Sequence, residues 1–133
     1  MARGRDAHQA KKAALAALGK DLSRRARSKC ELCGESAPLS PTALYPDEEP
    51  EVDWALLLCD RCATLLETGR HDGADGLRFL ESAVWSELKP AQVAAIHIVE
   101  QLAREDDAPD WPRDTVDGLW VEDDVRALVD RLP

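Results

Sequence analysis

All four cysteines of this chain fall into two Cys-x-x-Cys pairs, Cys30/Cys33 and Cys59/Cys62, which are separated by 25 residues. Two residues between a pair of thiolates allow one tight turn to present both sulfurs to the same metal ion, at about 2.3 Å. Gly34 follows the first pair and permits the left-handed backbone that such a turn usually needs. Because no cysteine is left over, we predict that the four thiolates form one closed tetrahedral site for a structural zinc ion.

Iron is the main competitor for these ligands, because rubredoxin-type iron sites also use two such pairs. Those sites usually lie in an aromatic-rich core and have a proline inside the second pair. This chain has Asp60-Arg61 at that place, and its aromatic content is low, with one Phe, one Tyr and four Trp. A redox-active dithiol would not require a second pair. The sequence therefore favours zinc over iron and over redox chemistry.

The two pairs are predicted to lie on different elements. The first pair precedes Gly34, as in a zinc knuckle, whereas the second pair ends an apolar run at residues 55–58 and opens a helix over 60–68. Short strands are expected at 39–45 and 52–58, and Gly69 is expected to end the helix. We therefore predict a mostly α protein with a small treble-clef or zinc-ribbon β-hairpin module, an α+β fold with few short strands.

The chain divides into three parts in this interpretation. Residues 1–29 form a basic N-terminal helical arm, residues 28–68 form the four-cysteine zinc module, and residues 69–133 form a helical part that packs with the module as one domain. Apolar residues recur at helical spacing near 93–102 and 125–132, whereas residues 106–117, with two prolines, are expected to be a linker.

Charge is distributed unevenly along the chain. Residues 1–29 carry nine basic and two acidic side chains, a net +7, whereas the remaining 104 residues carry −16. A basic segment next to the first cysteine pair can attract phosphates, so a nucleic acid is a candidate partner, although such segments are more often solvated surface. The expected phosphate contacts are Arg24, Arg25, Arg27 and Lys29. The alternative is that the arm docks on the acidic body of its own chain.

An enzyme is the main alternative to a binding module. Treble-clef nucleases of the HNH type need histidines near the end of the hairpin and on the following helix, but residues 34–58 contain no histidine. His71 lies past the expected helix end with no partner nearby in the sequence, His8 lies in the basic arm, and His97 reads as a half-buried helix residue. No catalytic residue is predicted. A protein partner, bound through an exposed Trp111 or Trp120, is a further possibility.

Targeting signals are absent from the sequence pattern. The apolar run at residues 13–18 is too short for a signal peptide, and no segment approaches the roughly 18 apolar residues that span a bilayer. These observations favour a cytoplasmic protein without membrane partners, in which paired cysteines more often bind metal than form disulfides.

Several sequence blocks resemble one known family. They are Arg3-Gly4-Arg5-Asp6-x-His8-Gln9-Ala10, Leu18-Gly19-Lys20-Asp21-Leu22-x-Arg24-Arg25, Ser28-Lys29-Cys30-Glu31-Leu32-Cys33-Gly34, Leu56-Leu57-Leu58-Cys59-Asp60-x-Cys62 and Glu81-Ser82-x-x-Trp85-Ser86-Glu87. Together they are similar to the PhnA-like zinc-ribbon proteins of bacteria. The resemblance implies a bacterial protein linked to alkylphosphonate utilisation, supports the four zinc ligands and supplies no catalytic residue.

The sequence thus predicts a small non-enzymatic zinc-binding protein that acts as a binding or regulatory module. The alternative function is a hydrolytic enzyme that acts on phosphonates or nucleic acid, built on a degenerate HNH-like treble clef.

Overall fold

The computed structural model describes residues 2–133, with side-chain environments from Gln9 onward. Within these residues the chain forms seven α-helices and one two-stranded sheet. The elements are α1 (Ala2–Ala17), α2 (Gly19–Ala26), β1 (Leu39–Ala43), β2 (Ala55–Cys59), α3 (Asp60–Thr68), α4 (Leu80–Ala83), α5 (Lys89–Ala103), α6 (Asp110–Asp117) and α7 (Asp123–Asp130). The predicted fold class, mostly α with a small β-hairpin, is confirmed.

The hairpin is antiparallel, and its register runs from Leu39 opposite Cys59 to Ala43 opposite Ala55. A short 3₁₀ turn at Val52–Trp54 precedes β2, so β2 begins three residues later than the sequence suggested. The amide of Leu44 donates to the carbonyl of Trp54 at 3.0 Å, which continues the pairing one step beyond β1. Strand β2 therefore ends at Cys59, the first cysteine of the second pair, and β1 begins six residues after Cys33.

Strand β2 is buried on both faces. Leu56 and Leu58 belong to the main hydrophobic core, which also contains the buried side chains of α5. Ala55 and Leu57, which alternate with them, pack against Leu22 of α2 in a second, smaller cluster. The hairpin is therefore a middle layer, with α2 on one side and the C-terminal helices on the other.

Helix α5 is the centre of the C-terminal part. Nine of its 15 residues are buried, namely Pro90, Ala91, Val93, Ala94, Ala95, Ile96, Ile98, Val99 and Leu102. Such burial around most of the helix circumference is expected for a helix that other elements cover on several sides, and α4, α6, α7 and the hairpin all pack near it. Three cysteines of the two pairs, Cys30, Cys59 and Cys62, belong to the same core cluster as these residues.

The predicted linker at residues 106–117 is wrong, because Asp110–Asp117 is helix α6. Pro109 precedes the helix as its N-cap and Pro112 lies in its first turn, where a missing amide hydrogen breaks no helical hydrogen bond. Trp111 is only 6% exposed and packs in the main core. Trp111 is therefore not available as an exposed partner-binding residue, whereas Trp120 is 71% exposed.

Side chains also join the hairpin to distant parts of the chain. The Tyr45 hydroxyl donates to the carbonyl of Leu128 in α7 at 2.7 Å, and the Arg131 guanidinium lies 4.5 Å from the centre of the Tyr45 ring. Lys11 of α1 donates to the carbonyl of Asp47, in the loop between the strands, at 2.8 Å. None of the helices described is both long and apolar enough to cross a membrane.

Candidate metal centre

The first cysteine pair lies in a tight turn that follows α2. The amide of Gly34 donates to the carbonyl of Cys30 at 2.9 Å, and the amide of Cys30 donates to the carbonyl of Glu35 at 3.0 Å. Gly34 has a φ of +80°, which L side chains rarely adopt. The glycine therefore closes the turn in the way the sequence predicted, with Cys30 and Cys33 on one side.

The second pair lies at the junction of β2 and α3. Cys59 is the last residue of β2 and the N-cap of α3, with φ −71° and ψ 165°, and Cys62 lies in the first turn of the helix. Gly69, with a φ of +74°, ends the helix as predicted. The backbone amides at the N-terminus of α3 have no helical acceptor, and the positive end of the helix dipole lies there. Both effects favour negative charge on these two sulfurs.

The four sulfurs converge. All four Sγ atoms lie within 4.8 Å of one another, and the Cys33 and Cys59 sulfurs are 3.7 Å apart. A disulfide would require about 2.05 Å, whereas four sulfurs at about 2.3 Å from one ion are about 3.8 Å from each other in a regular tetrahedron. Cys30, Cys59 and Cys62 are no more than 5% exposed, and Cys33 is half-buried. The site is thus arranged to hold a metal ion in a position closed to most solvent.

The thiols are electrostatically coupled. A hydrogen bond with the Cys62 thiol holds the pKa of Cys30 well below its usual value, and the same bond, together with burial, raises the pKa of Cys62. Burial also raises the pKa of the Cys33 thiol. Because a metal ion binds the thiolate form, its binding would release the protons that the crowded thiols retain.

Arg61 supplies positive charge beside this centre. Its burial acts to lower the pKa of the guanidinium, but the neighbouring sulfur of Cys33 and then the other sulfurs outweigh this effect, so the pKa is raised. The guanidinium lies 5.3 Å from the centre of the Phe79 ring, which limits where it can point. Arg61, between the two cysteines of the second pair, thus offsets part of the negative charge of four thiolates.

Arg25 and Glu31 form a bidentate ion pair that the sequence analysis missed. The Arg25 guanidinium donates to both Glu31 carboxylate oxygens at 2.8 and 2.9 Å, and also to the carbonyls of Val52 and Ala55 at 2.9 and 2.7 Å. The Glu31 side chain is 2% exposed and accepts a further bond from the amide of Leu57. The pair therefore joins α2, the first cysteine turn and β2.

The predicted phosphate contacts separate into two groups. Arg24, Arg27 and Lys29 are exposed, whereas Arg25 is turned inward and its donors are used by Glu31 and two carbonyls. Arg25 therefore does not share the solvent-facing surface of the other three. A signal for this existed in the sequence, because position 25 follows Leu18 and Leu22 on the apolar face of α2.

His71 has a partner, contrary to our expectation. Its Nδ1 accepts from the amide of Gly73 at 3.1 Å, so Nε2 carries the hydrogen that lies 2.9 and 3.0 Å from the Glu105 oxygens. The histidine lines an open cleft of about 1100 Å³ next to α3. Asp60 and Arg61 of α3 and the loop after that helix, residues 70–77, line the same cleft. Both ring nitrogens are engaged within the protein, so His71 connects the loop after α3 to the turn that follows α5.

Of the other two histidines, only His97 has a described side chain, and it is not among the residues gathered at the cysteine centre. The side chain of His8 lies outside the described part of the structure. His97 is half-buried on α5, as predicted, and its burial lowers its pKa.

No protein-family model, curated protein or solved structure matches this chain. The similarity to the PhnA-like family, read from the sequence blocks alone, therefore stays a prediction.

Proposed function

We propose that this chain is a small zinc-binding module without enzymatic activity, which acts by binding a phosphate-bearing partner, and that it belongs with the PhnA-like proteins linked to alkylphosphonate utilisation. The observation that carries the proposal is the convergence of four largely buried cysteine sulfurs within 4.8 Å. Four thiolates complete a tetrahedral zinc site and leave no open position for water or substrate, which is the arrangement of structural rather than catalytic zinc.

Zinc is favoured over iron because the residues inside the second pair are Asp60 and Arg61, where rubredoxin-type iron sites usually have a proline. The structural role follows from the positions of the ligands. One pair lies in the turn after α2, and the other joins β2 to α3. An ion held by both pairs would fix the hairpin to the helix and would contribute folding free energy directly.

Metal analysis of the purified protein tests this proposal. We expect one zinc per chain by mass spectrometry, without the visible absorbance of a ferric thiolate. Cys30→Ser and Cys59→Ser should lose the metal and expose residues 28–68 to protease, whereas Ser36→Ala, an exposed control between the pairs, should retain it. Metal-free protein that melts at the same temperature as the metal-loaded protein would contradict the structural role.

The exposed basic residues of α2 support a phosphate-bearing partner. Lys20, Arg24 and Arg27 are spaced by four and three residues and are all exposed, so they form one stripe on the outer side of α2, and Lys29 follows it. Arg27 and Ser28 both have a left-handed backbone, with φ 55° and 60°. Arg27 is the left-handed C-cap that ends α2, which is a common helix ending, but a second non-glycine residue in this conformation adds strain of the kind that clusters at functional sites.

A salt titration tests the nucleic-acid proposal. Binding of a mixed-sequence DNA duplex should weaken log-linearly with salt and depend little on sequence. Arg24→Gln/Arg27→Gln should reduce the salt slope by about two, because each lost phosphate contact removes about one released counterion. Arg104→Gln/Arg113→Gln, an exposed pair of the same charge in the C-terminal part, is the matched control. A slope that falls equally in both variants would show a general charge effect.

Binding is preferred to hydrolysis because His71, the histidine of the cleft, is already committed to contacts within the protein. Both His71 nitrogens are bonded within the protein, and the thiolate site has no free coordination position. A phosphonate or nucleic acid hydrolysed by the pure protein, with the rate lost in His71→Ala, would reverse this preference.

A further inference from the structure

Trp120 is the most exposed large apolar side chain described. It is 71% exposed and lies between α6 and α7, whereas its neighbours Leu119 and Val121 are partly buried against the main core. The two inward neighbours fix the backbone, so that the indole is held outward. An indole exposed at an anchored backbone position contributes little to the core and is the kind of residue that dominates protein interfaces.

The surface around Trp120 is acidic. Residues 114–125 carry five acidic side chains and no lysine or arginine, and of the two arginines that flank them Arg113 is exposed and Arg126 is paired with Glu100 and Asp130. Asp124 pairs with Lys89 at 2.7 Å, but Asp117, Glu122 and Asp123 are exposed and form no ion pair with a described side chain. Three carboxylates adjoining one indole are therefore available to an incoming group.

The helix termini explain only part of this charge. Asp123 and Asp124 lie in the first turn of α7, where negative charge is favourable. Asp117 is the last residue of α6, where negative charge opposes the helix dipole, and the last turn of α6 contains no basic residue. The local fold thus gives no reason for the carboxylate at this position.

We propose that Trp120, Asp117, Glu122 and Asp123 form a docking surface for a lysine- or arginine-rich segment of a partner protein. The carboxylates would bind ammonium or guanidinium groups, and the indole face attracts cations and packs against their aliphatic stems. The same negative charge repels nucleic acid and lipid headgroups that are anionic. This surface is separate from the basic stripe of α2 and does not depend on the metal proposal.

A peptide titration with the full metal-loaded chain tests this surface. The probe is a labelled 12-residue peptide that alternates arginine and glycine, and its controls are the glutamate and glutamine counterparts. We expect only the basic peptide to bind, with the indole N–H resonance of Trp120 shifting and that of Trp85 unchanged. Trp120→Ala and Asp117→Asn/Glu122→Gln/Asp123→Asn should each weaken binding at least fivefold.

Two controls separate the site from general effects. Trp85→Ala removes the other exposed tryptophan, and Glu49→Gln/Glu51→Gln/Glu67→Gln changes the same net charge at exposed positions elsewhere. Both should keep the dissociation constant within twofold. Equal weakening in the two triple variants, or unchanged binding in Trp120→Ala, would overturn the proposal. Concentration-dependent dimerisation that Trp120→Ala abolishes would also overturn it, by assigning the surface to a second copy of the chain.

Discussion

The Arg25–Glu31 pair allows the sharpest test of the structure. Arg25→Met removes the guanidinium and retains an apolar stem of similar length. The change deletes two bonds to the carboxylate, at 2.8 and 2.9 Å, and two bonds to backbone carbonyls, at 2.9 and 2.7 Å. Glu31, 2% exposed, is left with the single amide of Leu57 at 2.8 Å. A buried carboxylate would thus lose its countercharge and most of its donors.

The expected cost follows from these contacts. Removal of one member of a buried ion pair typically destabilises a protein by about 3–5 kcal/mol, because the remaining charge stays buried. The Arg25 side chain is 24% exposed, so water can partly replace the guanidinium. We therefore expect a loss of unfolding free energy at the lower end of this range, about 3 kcal/mol. At roughly 4 °C per kcal/mol for a chain of this length, the melting temperature should fall by about 12 °C.

Urea and thermal unfolding at a fixed zinc concentration would measure this loss. The matched control is Arg24→Met, because Arg24 is the exposed neighbour and should change the free energy of unfolding by less than about 0.5 kcal/mol. Arg25→Met/Glu31→Leu should recover part of the loss, since no unpaired charge remains. Variants at positions 25 and 24 that unfold alike would refute the inward-facing role of Arg25.

Three further predictions concern stability. Ser28→Gly should stabilise the protein by about 0.5–1 kcal/mol in urea unfolding, because glycine adopts the φ of 60° without strain. Ser36→Gly, at a position without a positive φ, should give no such stabilisation. Leu22→Ala should cost about 2–5 kcal/mol, since Leu22 is fully buried against β2; Leu15→Ala, half-buried on α1, should cost less. His97 has a lowered pKa through burial, so its contribution to stability is present above about pH 6.5 and is lost as the pH falls through its folded pKa. The difference in unfolding free energy between wild type and His97→Gln should therefore change between pH 7 and 5, and a constant difference would contradict this assignment.

Local sequence signals predicted the elements that carry the cysteines. These signals are the apolar run before Cys59, the helix-forming residues after it and the glycines at 34 and 69. Each determines the backbone only within a few residues of its own position, so the sequence pattern is sufficient to predict the strand, the helix and the turns. The convergence of the two pairs was also predictable, because no other cysteine could complete either of them.

Interactions between distant residues were not predictable in the same way. Glu31 accepts from the amide of Leu57, 26 positions away, and His71 bonds Glu105, 34 positions away. Their partners are set by the packing of α2 and α5, which a single sequence does not specify. Helix α6 was missed because prolines were treated as helix breakers, although a first-turn proline is compatible with a helix.

The double-sided burial of β2 has a consequence for excision of the metal-binding motif. A fragment of residues 28–68 would keep all four cysteines but lose Leu22 from one face of the strand and α5 from the other. Leu56, Leu57 and Leu58 would then become accessible on a two-stranded sheet whose edges are also unprotected. Such a strand is a template for intermolecular pairing. Metal-binding competence and resistance to aggregation are therefore encoded in different stretches of the chain, and a fragment can retain the first while losing the second.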